Sequence, residues 1–224
     1  MDDQRTTELT AAVRAGLRAR ADDARAPGQQ AYMKSEMPFL GVPVPQARRV
    51  ARTAASTTTD AAILRAAARE LWDAAEYREE RYAAMALLGL APASADPDAV
   101  GLIVHMVRTG RWWDYTDELA HRMADLHDRF PAEAAAIVRV WSADDDLWVR
   151  RIAILSQLGR RDRVDAALLA ELIEPSIADP EFFLRKAIGW ALREYARVDP
   201  DWVLAYADSH PLSPLSRREA LKHL

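Results

Sequence analysis

At 224 residues, half of them apolar and 29% charged, the chain has the length and make-up of a globular protein with a sizeable core, which excludes wholesale disorder. It has no cysteine, so a disulfide framework and a cysteine-held zinc are both excluded. The net charge is −4, yet 30 residues are basic and all but three of these (Lys34, Lys186, Lys222) are arginine, so phosphate binding through a local patch stays open despite the acidic average.

The acidic, polar start Met1-Asp2-Asp3-Gln4-Arg5 has no apolar stretch behind it, which argues against a secretory signal, and the absence of cysteine fits the expected reducing cytoplasm. No apolar run approaches the ~18 residues of a membrane span. Amphipathic patterns of period 3.6 predict about a dozen helices. In order, these cover 4–24, 45–55, 60–74, 77–91, 97–108, 112–128, 131–142, 146–159, 164–173, 181–197, 200–208 and 214–223. Leu147, Ile154, Leu155 and Leu158 make one apolar face, and Ala187, Ile188, Ala191 and Leu192 another. Asp96-Pro97, Asp179-Pro180, Asp199-Pro200 and Ser213-Pro214 read as one repeated device, a polar cap followed by proline at the first helical position. Phe130-Pro131 is a similar break without the polar cap. No segment alternates like a strand.

Arg81-Tyr82-Ala83, Arg150-Arg151-Ile152 and Arg185-Lys186-Ala187 open apolar helices at separations of 69 and 35 residues, close to a period of 35. Helix pairs at that period predict an all-α fold, an α-solenoid of antiparallel helix pairs of the HEAT or armadillo sort, with its inner helices lining a concave face. No linker divides the chain, so a single domain over residues 1–224 is expected.

There is no Gly-rich phosphate loop, no HExxH and no GxSxG, and the five histidines show no ligand spacing, so neither a metal nor a cofactor is expected. What remains for chemistry is tryptophan, aspartate and arginine. Trp113 and Asp117 are spaced i, i+4 and share a helix face. Leu147-Trp148-Val149-Arg150-Arg151 and the segment from Phe182 to Trp190 fall on the other inner helices. Trp72, Trp141, Trp148 and Trp202 read as packing residues.

At these segments the chain resembles the AlkD-type DNA alkylation repair glycosylases, a family with a HEAT-like helical fold. The resemblance runs through Tyr32-Met33-Lys34, Phe39-Leu40-Gly41, Arg69-Glu70-Leu71-Trp72-Asp73, Trp112-Trp113-Asp114 with Asp117, and Trp148 to Leu155. It is longest from Glu181 to Ala196 and continues at Pro214 to Ala220. It implies a catalytic set of Trp113, Asp117, Trp190 and an arginine that falls on Arg151, with Arg150 one residue away. The activity implied is hydrolysis of the N-glycosidic bond of cationic N3- and N7-alkylated purines in double-stranded DNA, by a monomer and without flipping the base. Such a lesion is already charged and leaves without protonation, so one carboxylate suffices where ordinary glycosidases need two.

Under that reading Asp117 stabilises the developing oxocarbenium sugar and its water, Trp113 and Trp190 flank the deoxyribose, and Arg151 holds a phosphate and orients Asp117. Candidate DNA contacts are Tyr32, Lys34, Arg48, Arg49, Arg150, Lys186, Arg193, Arg217 and Arg218. Two rival readings stand beside it. A non-catalytic protein scaffold would leave Trp113, Asp117 and Trp190 buried or scattered. A binder of DNA or RNA structure that has lost hydrolysis would be indifferent to Asp117→Asn.

Overall fold

The computed structural model describes residues 2–224, and among these every regular element is helical, thirteen α-helices with three short 3-10 turns. The fold class is all-α, a solenoid built from helix pairs, as the periodicity predicts. The contacts group into two compact units, one running through Leu102 and the other from Ile103 to Leu224, with the division inside the helix that spans Val100–Gly110.

The first unit contains α1 (Asp2–Arg18), α2 (Ala26–Met33), α3 (Val44–Ala54), α4 (Ala61–Asp73) and α5 (Arg78–Leu88). Here α1 and α5 each pack against both α3 and α4. Val13, Leu17, Leu64, Leu71, Trp72 and Leu87 fill the space between them. The buried Glu79 carboxylate accepts the backbone N–H groups of Leu40 (2.9 Å) and Val42 (3.0 Å), fastening the segment between α2 and α3 to α5. Gly41 sits between those two residues at φ +86°, where an added Cβ would lie 2.1 Å from the Asp22 carbonyl oxygen. Only glycine fits that turn.

α6 (Val100–Gly110), 11 residues long, is shorter than the 17-residue helix that follows it. In the second unit, α7 (Trp113–Arg129), α9 (Leu147–Leu155) and α11 (Phe182–Tyr195) pack in succession, α7 on α9 and α9 on α11. The helices between them form the other layer. α8 (Pro131–Ser142) lies on α7 and α9, α10 (Ala166–Ile173) on α8 and α9, and α12 (Pro200–Ser209) on α11. α13 (Pro214–Ala220) closes back onto α11. Leu119, Met123, Val149, Ile152, Leu184 and Ile188 are buried along the inner layer. Each such side chain contributes about 1.5–3 kcal/mol by leaving water.

The predicted helix over 4–24 ends early, at Arg18, and a turn follows it. The chain must double back there, because the Asp22 N–H donates to the Leu40 carbonyl and the Asp22 carboxylate accepts from the N–H groups of Ala24 and Arg25. α2 follows, tolerating Pro27 at its second position, and the sequence pattern missed it. Of the four polar-proline pairs, Asp199 and Ser213 cap α12 and α13 with proline first in the helix, and Asp96 caps the 3-10 turn Pro97–Ala99. Asp179-Pro180 departs from the device. α11 starts later, at Phe182, and the Asp179 carboxylate accepts from the Glu181 N–H and from Arg150 instead.

Candidate active site

Three inner-layer helices of the second unit each bring one part of the site. α7 is started by a left-handed residue, Arg111 (φ 44°), followed by an extended Trp112 (φ −149°, ψ 150°). A non-glycine residue in that region costs energy and persists only where its surroundings hold it. Arg111 is tied by its guanidinium to Asp146, 3.6 Å away. The helix then presents Trp113 in its first turn and Asp117 one turn on. α9 is capped by Asp146, whose carboxylate accepts the Trp148 N–H at 2.8 Å, and carries Arg151. α11 carries Trp190.

Of the two adjacent arginines, it is Arg151 that meets Asp117. Its Nε donates to one carboxylate oxygen of Asp117 at 2.8 Å and its Nη2 to the other at 2.9 Å, a two-pronged pair. Its Nη1 donates to the Phe183 carbonyl oxygen on α11. The Arg151 side chain is 5% exposed and that of Asp117 15%. Arg150 points elsewhere and pairs with Asp179 at 2.7 Å. Burial lifts the Asp117 carboxyl above its ordinary range, and the adjacent Arg151 charge opposes that rise without cancelling it.

Asp117 and Arg151 open into a cavity of about 430 Å³ whose walls include Trp113, Trp190, Lys186 and Arg193. Phe182, 50% exposed, and Phe183 complete one side. Behind the site, Trp112, Trp148 and Phe183 pack on one another with ring centroids 4.9 to 6.2 Å apart. That aromatic layer buttresses the N-terminal ends of α7, α9 and α11 together. Glu219 of α13 also borders the cavity, accepting from Lys186 Nζ at 3.1 Å and from Arg193 Nη1 at 2.7 Å. These two cations hold its carboxyl below the usual carboxylate range, the Lys186 hydrogen bond foremost.

The arrangement offers the Asp117 carboxylate held in a fixed orientation by Arg151, two indoles in the same cavity wall, and a rim where Lys186 and Arg193 share Glu219. Residues 13–224 match the family described as DNA alkylation repair enzyme. The chain belongs to that family. A solved structure described as a predicted DNA alkylation repair enzyme from Enterococcus faecalis is similar to it, at 26% identity and a TM-score of 0.78 over 91% of this chain and 96% of that one. No curated protein matches.

Within this family member the four residues singled out for catalysis, Trp113, Asp117, Arg151 and Trp190, line one cavity. Trp72, Trp141 and Trp148 are buried as packing residues, while Trp202 is half-buried and stacks on Tyr206 with its edge toward Tyr195. The nine candidate DNA contacts divide. Tyr32 (77% exposed), Lys34, Arg48 and Arg49 belong to the first unit and are exposed, as is Arg218 in the second. Lys186, Arg193, Arg150 and Arg217 are engaged in ion pairs, with Glu219, Glu219, Asp179 and Asp208 respectively. Sequence reasoning did not single out the Phe183 carbonyl or Glu219. A backbone oxygen carries no residue signal, and Glu219 lay unremarked in the segment Pro214 to Ala220.

Among the described residues no group of three or more His, Asp and Glu side chains is placed to hold a metal ion. No helix among them is long and apolar enough to cross a membrane.

Proposed function

We propose that this protein is a DNA N-glycosylase that hydrolyses the N-glycosidic bond of cationic N3- and N7-alkylated purines, such as 3-methyladenine and 7-methylguanine, in duplex DNA. The observation that carries the proposal is the convergence of Trp113, Asp117, Arg151 and Trp190 on one open cavity, with the Asp117 carboxylate held in a fixed orientation by Arg151. A scaffold that merely used these residues for packing has no need to gather them at one opening.

In the proposed reaction the bond between C1′ and the purine nitrogen breaks, and its electron pair goes to the purine, cancelling the positive charge. The sugar becomes an oxocarbenium ion. Asp117, ionised and fixed by Arg151, stabilises that cation and receives a proton from the water that bonds to C1′. Trp113 and Trp190 offer their π faces to the sugar and exclude bulk water. The products are a free alkylated base and an abasic site. The base need not enter a closed pocket, which accords with the openness of the cavity and with lesions read without flipping.

Arg151 was expected to orient Asp117 and to hold a phosphate. Its burial and its three donated hydrogen bonds favour the first task, and phosphate contacts are assigned instead to Lys186 and Arg193 at the rim, with Arg218 and the first-unit candidates Tyr32, Lys34, Arg48 and Arg49. The working form is proposed to be a cytoplasmic monomer. The test is release of 7-methylguanine from methylated duplex DNA by the wild type and by Asp117→Asn. The proposal requires release by the wild type and its loss in a variant that still folds and binds DNA. No release from any cationic lesion, 3-methyladenine and bulky N7 adducts included, would leave a DNA-binding role without hydrolysis.

A further inference from the structure

Glu219 is a second carboxylate at the cavity and has no part in the chemistry assigned to Asp117. Its placement is specific. α13 approaches α11 so closely that a Cβ on Gly189 would lie 2.5 Å from the Cβ of Glu219 and 2.8 Å from the Ser216 carbonyl oxygen. Ser216, in turn, donates from its hydroxyl to the Arg185 carbonyl at 3.0 Å, pinning α13 to α11. Glu219 is thereby delivered next to Trp190 with its side chain 15% exposed.

From there it spans two cations on the same helix face. Lys186 stands four residues before Trp190 and Arg193 three after it, so the helical repeat sets them on either side of the indole. One carboxylate oxygen meets each cation, at 3.1 and 2.7 Å. The contact uses one of three N–H donors on the ammonium and one of five on the guanidinium. Two positive charges and one negative leave a net charge of +1, which one phosphodiester would balance.

We propose that Glu219 is a positioning residue that holds Lys186 and Arg193 as a preformed seat for a single backbone phosphate, and so fixes the adjoining sugar between Trp190 and Asp117. The proposal rests on the glycosylase reading. The ligand is a phosphodiester of duplex DNA. Long, flexible cations left to themselves would find a phosphate but not hold it in one place. The carboxylate therefore costs some DNA affinity and supplies alignment, and alignment is felt in the chemical step.

The experiment uses the full chain and has two arms. In the first, base release from a duplex carrying 7-methylguanine is followed at saturating enzyme under single-turnover conditions. Glu219→Gln is expected to lower that rate roughly 10- to 100-fold, with no weakening of the Kd for undamaged duplex, and Glu219→Asp to recover part of the rate. An unchanged or faster rate in Glu219→Gln would overturn the proposal, as would losses of rate and affinity in the same proportion. In the second arm, the salt dependence of binding to undamaged duplex is compared with a variant carrying Lys186→Gln and Arg193→Gln together. A fall of about one in the slope of log K against log salt supports the phosphate seat, and an unchanged slope refutes it. If the wild type releases no base, the glycosylase reading fails in the first arm while the second still decides the seat.

Discussion

Arg151 grips Asp117 with two parallel hydrogen bonds, one to each carboxylate oxygen, while its third edge reaches the backbone of α11 at Phe183. One guanidinium thus links α7, α9 and α11 at the point where the carboxylate faces the cavity. Lysine at this position would keep the charge and lose the fork. Arg151→Lys is expected to lower single-turnover base release on the order of 10²-fold, because the carboxylate loses its fixed orientation. A Lys variant with near wild-type rate would show that charge alone suffices.

The raised pKa of Asp117 sets a direction for the pH profile. The proposed mechanism needs the ionised carboxylate, so activity should fall as pH drops through the folded-state pKa, which lies above the ordinary value of 3.8 because burial outweighs the Arg151 charge. Removing that charge in Arg151→Gln should move the acid limb of the pH–rate profile to higher pH. A limb that moved to lower pH, or did not move, would argue that another group is titrating.

The indoles should matter through their faces. Replacing Trp113 or Trp190 with alanine removes a cation–π stabilisation of about 2 kcal/mol, roughly a 30-fold loss of rate, and phenylalanine should retain part of it. The check is the single-turnover rate at saturating enzyme, since an effect confined to affinity would disappear there.

Gly189→Ala should disturb α13. The added methyl meets the Ser216 backbone oxygen at 2.8 Å and the Glu219 Cβ at 2.5 Å, and neither is the far end of a flexible side chain. Overpacking of this kind costs about 1–3 kcal/mol, which exceeds the helix-propensity gain of alanine over glycine of ~1 kcal/mol at its upper end. A lowered Tm is expected in thermal melts, and an unchanged or raised Tm would mean that α13 shifts without penalty.

His127 gives an acid sensitivity unrelated to the chemistry. It is buried beside Ser156, and burial, with the Arg160 charge adding to it, pushes the imidazole down to about 4. Below the ordinary value of 6.5 the unfolded chain binds a proton that the folded chain refuses, so stability should decline as pH falls from 6.5 toward about 4. The drop in Tm between pH 7 and pH 4.5 should be smaller in His127→Leu than in the wild type.

Much of the site was legible because Trp113 and Asp117 lie one turn apart on a single helix, where spacing alone fixes a shared face. Arg150 and Arg151 were not separable that way. Adjacent residues on a helix diverge by ~100°, and which of them turns inward depends on how α9 is rotated against α7. The resemblance favours Arg151, and it is Arg151 that pairs with Asp117. Glu219 was out of reach, because its role depends on α13 folding back over Gly189 to meet residues far earlier in the chain. α2 was lost for a local reason, a Pro27-Gly28 pair that reads as a break yet sits inside a helix that starts at Ala26.

The Arg151–Asp117 pair has counterparts that have nothing to do with catalysis. Arg108 meets Asp144, Arg139 meets Glu171, and Arg160 meets Asp128, each across 32 to 36 residues, much as Arg151 meets Asp117 across 34. These bonds are the stitches by which one helix pair is sewn to the next. The Arg151–Asp117 pair is one such stitch left at an opening, so the rotation of α9 against α7 serves as its gauge. A residue inserted in α9 just ahead of Arg151 would swing its side chain by about 100° from Asp117 and open this stitch.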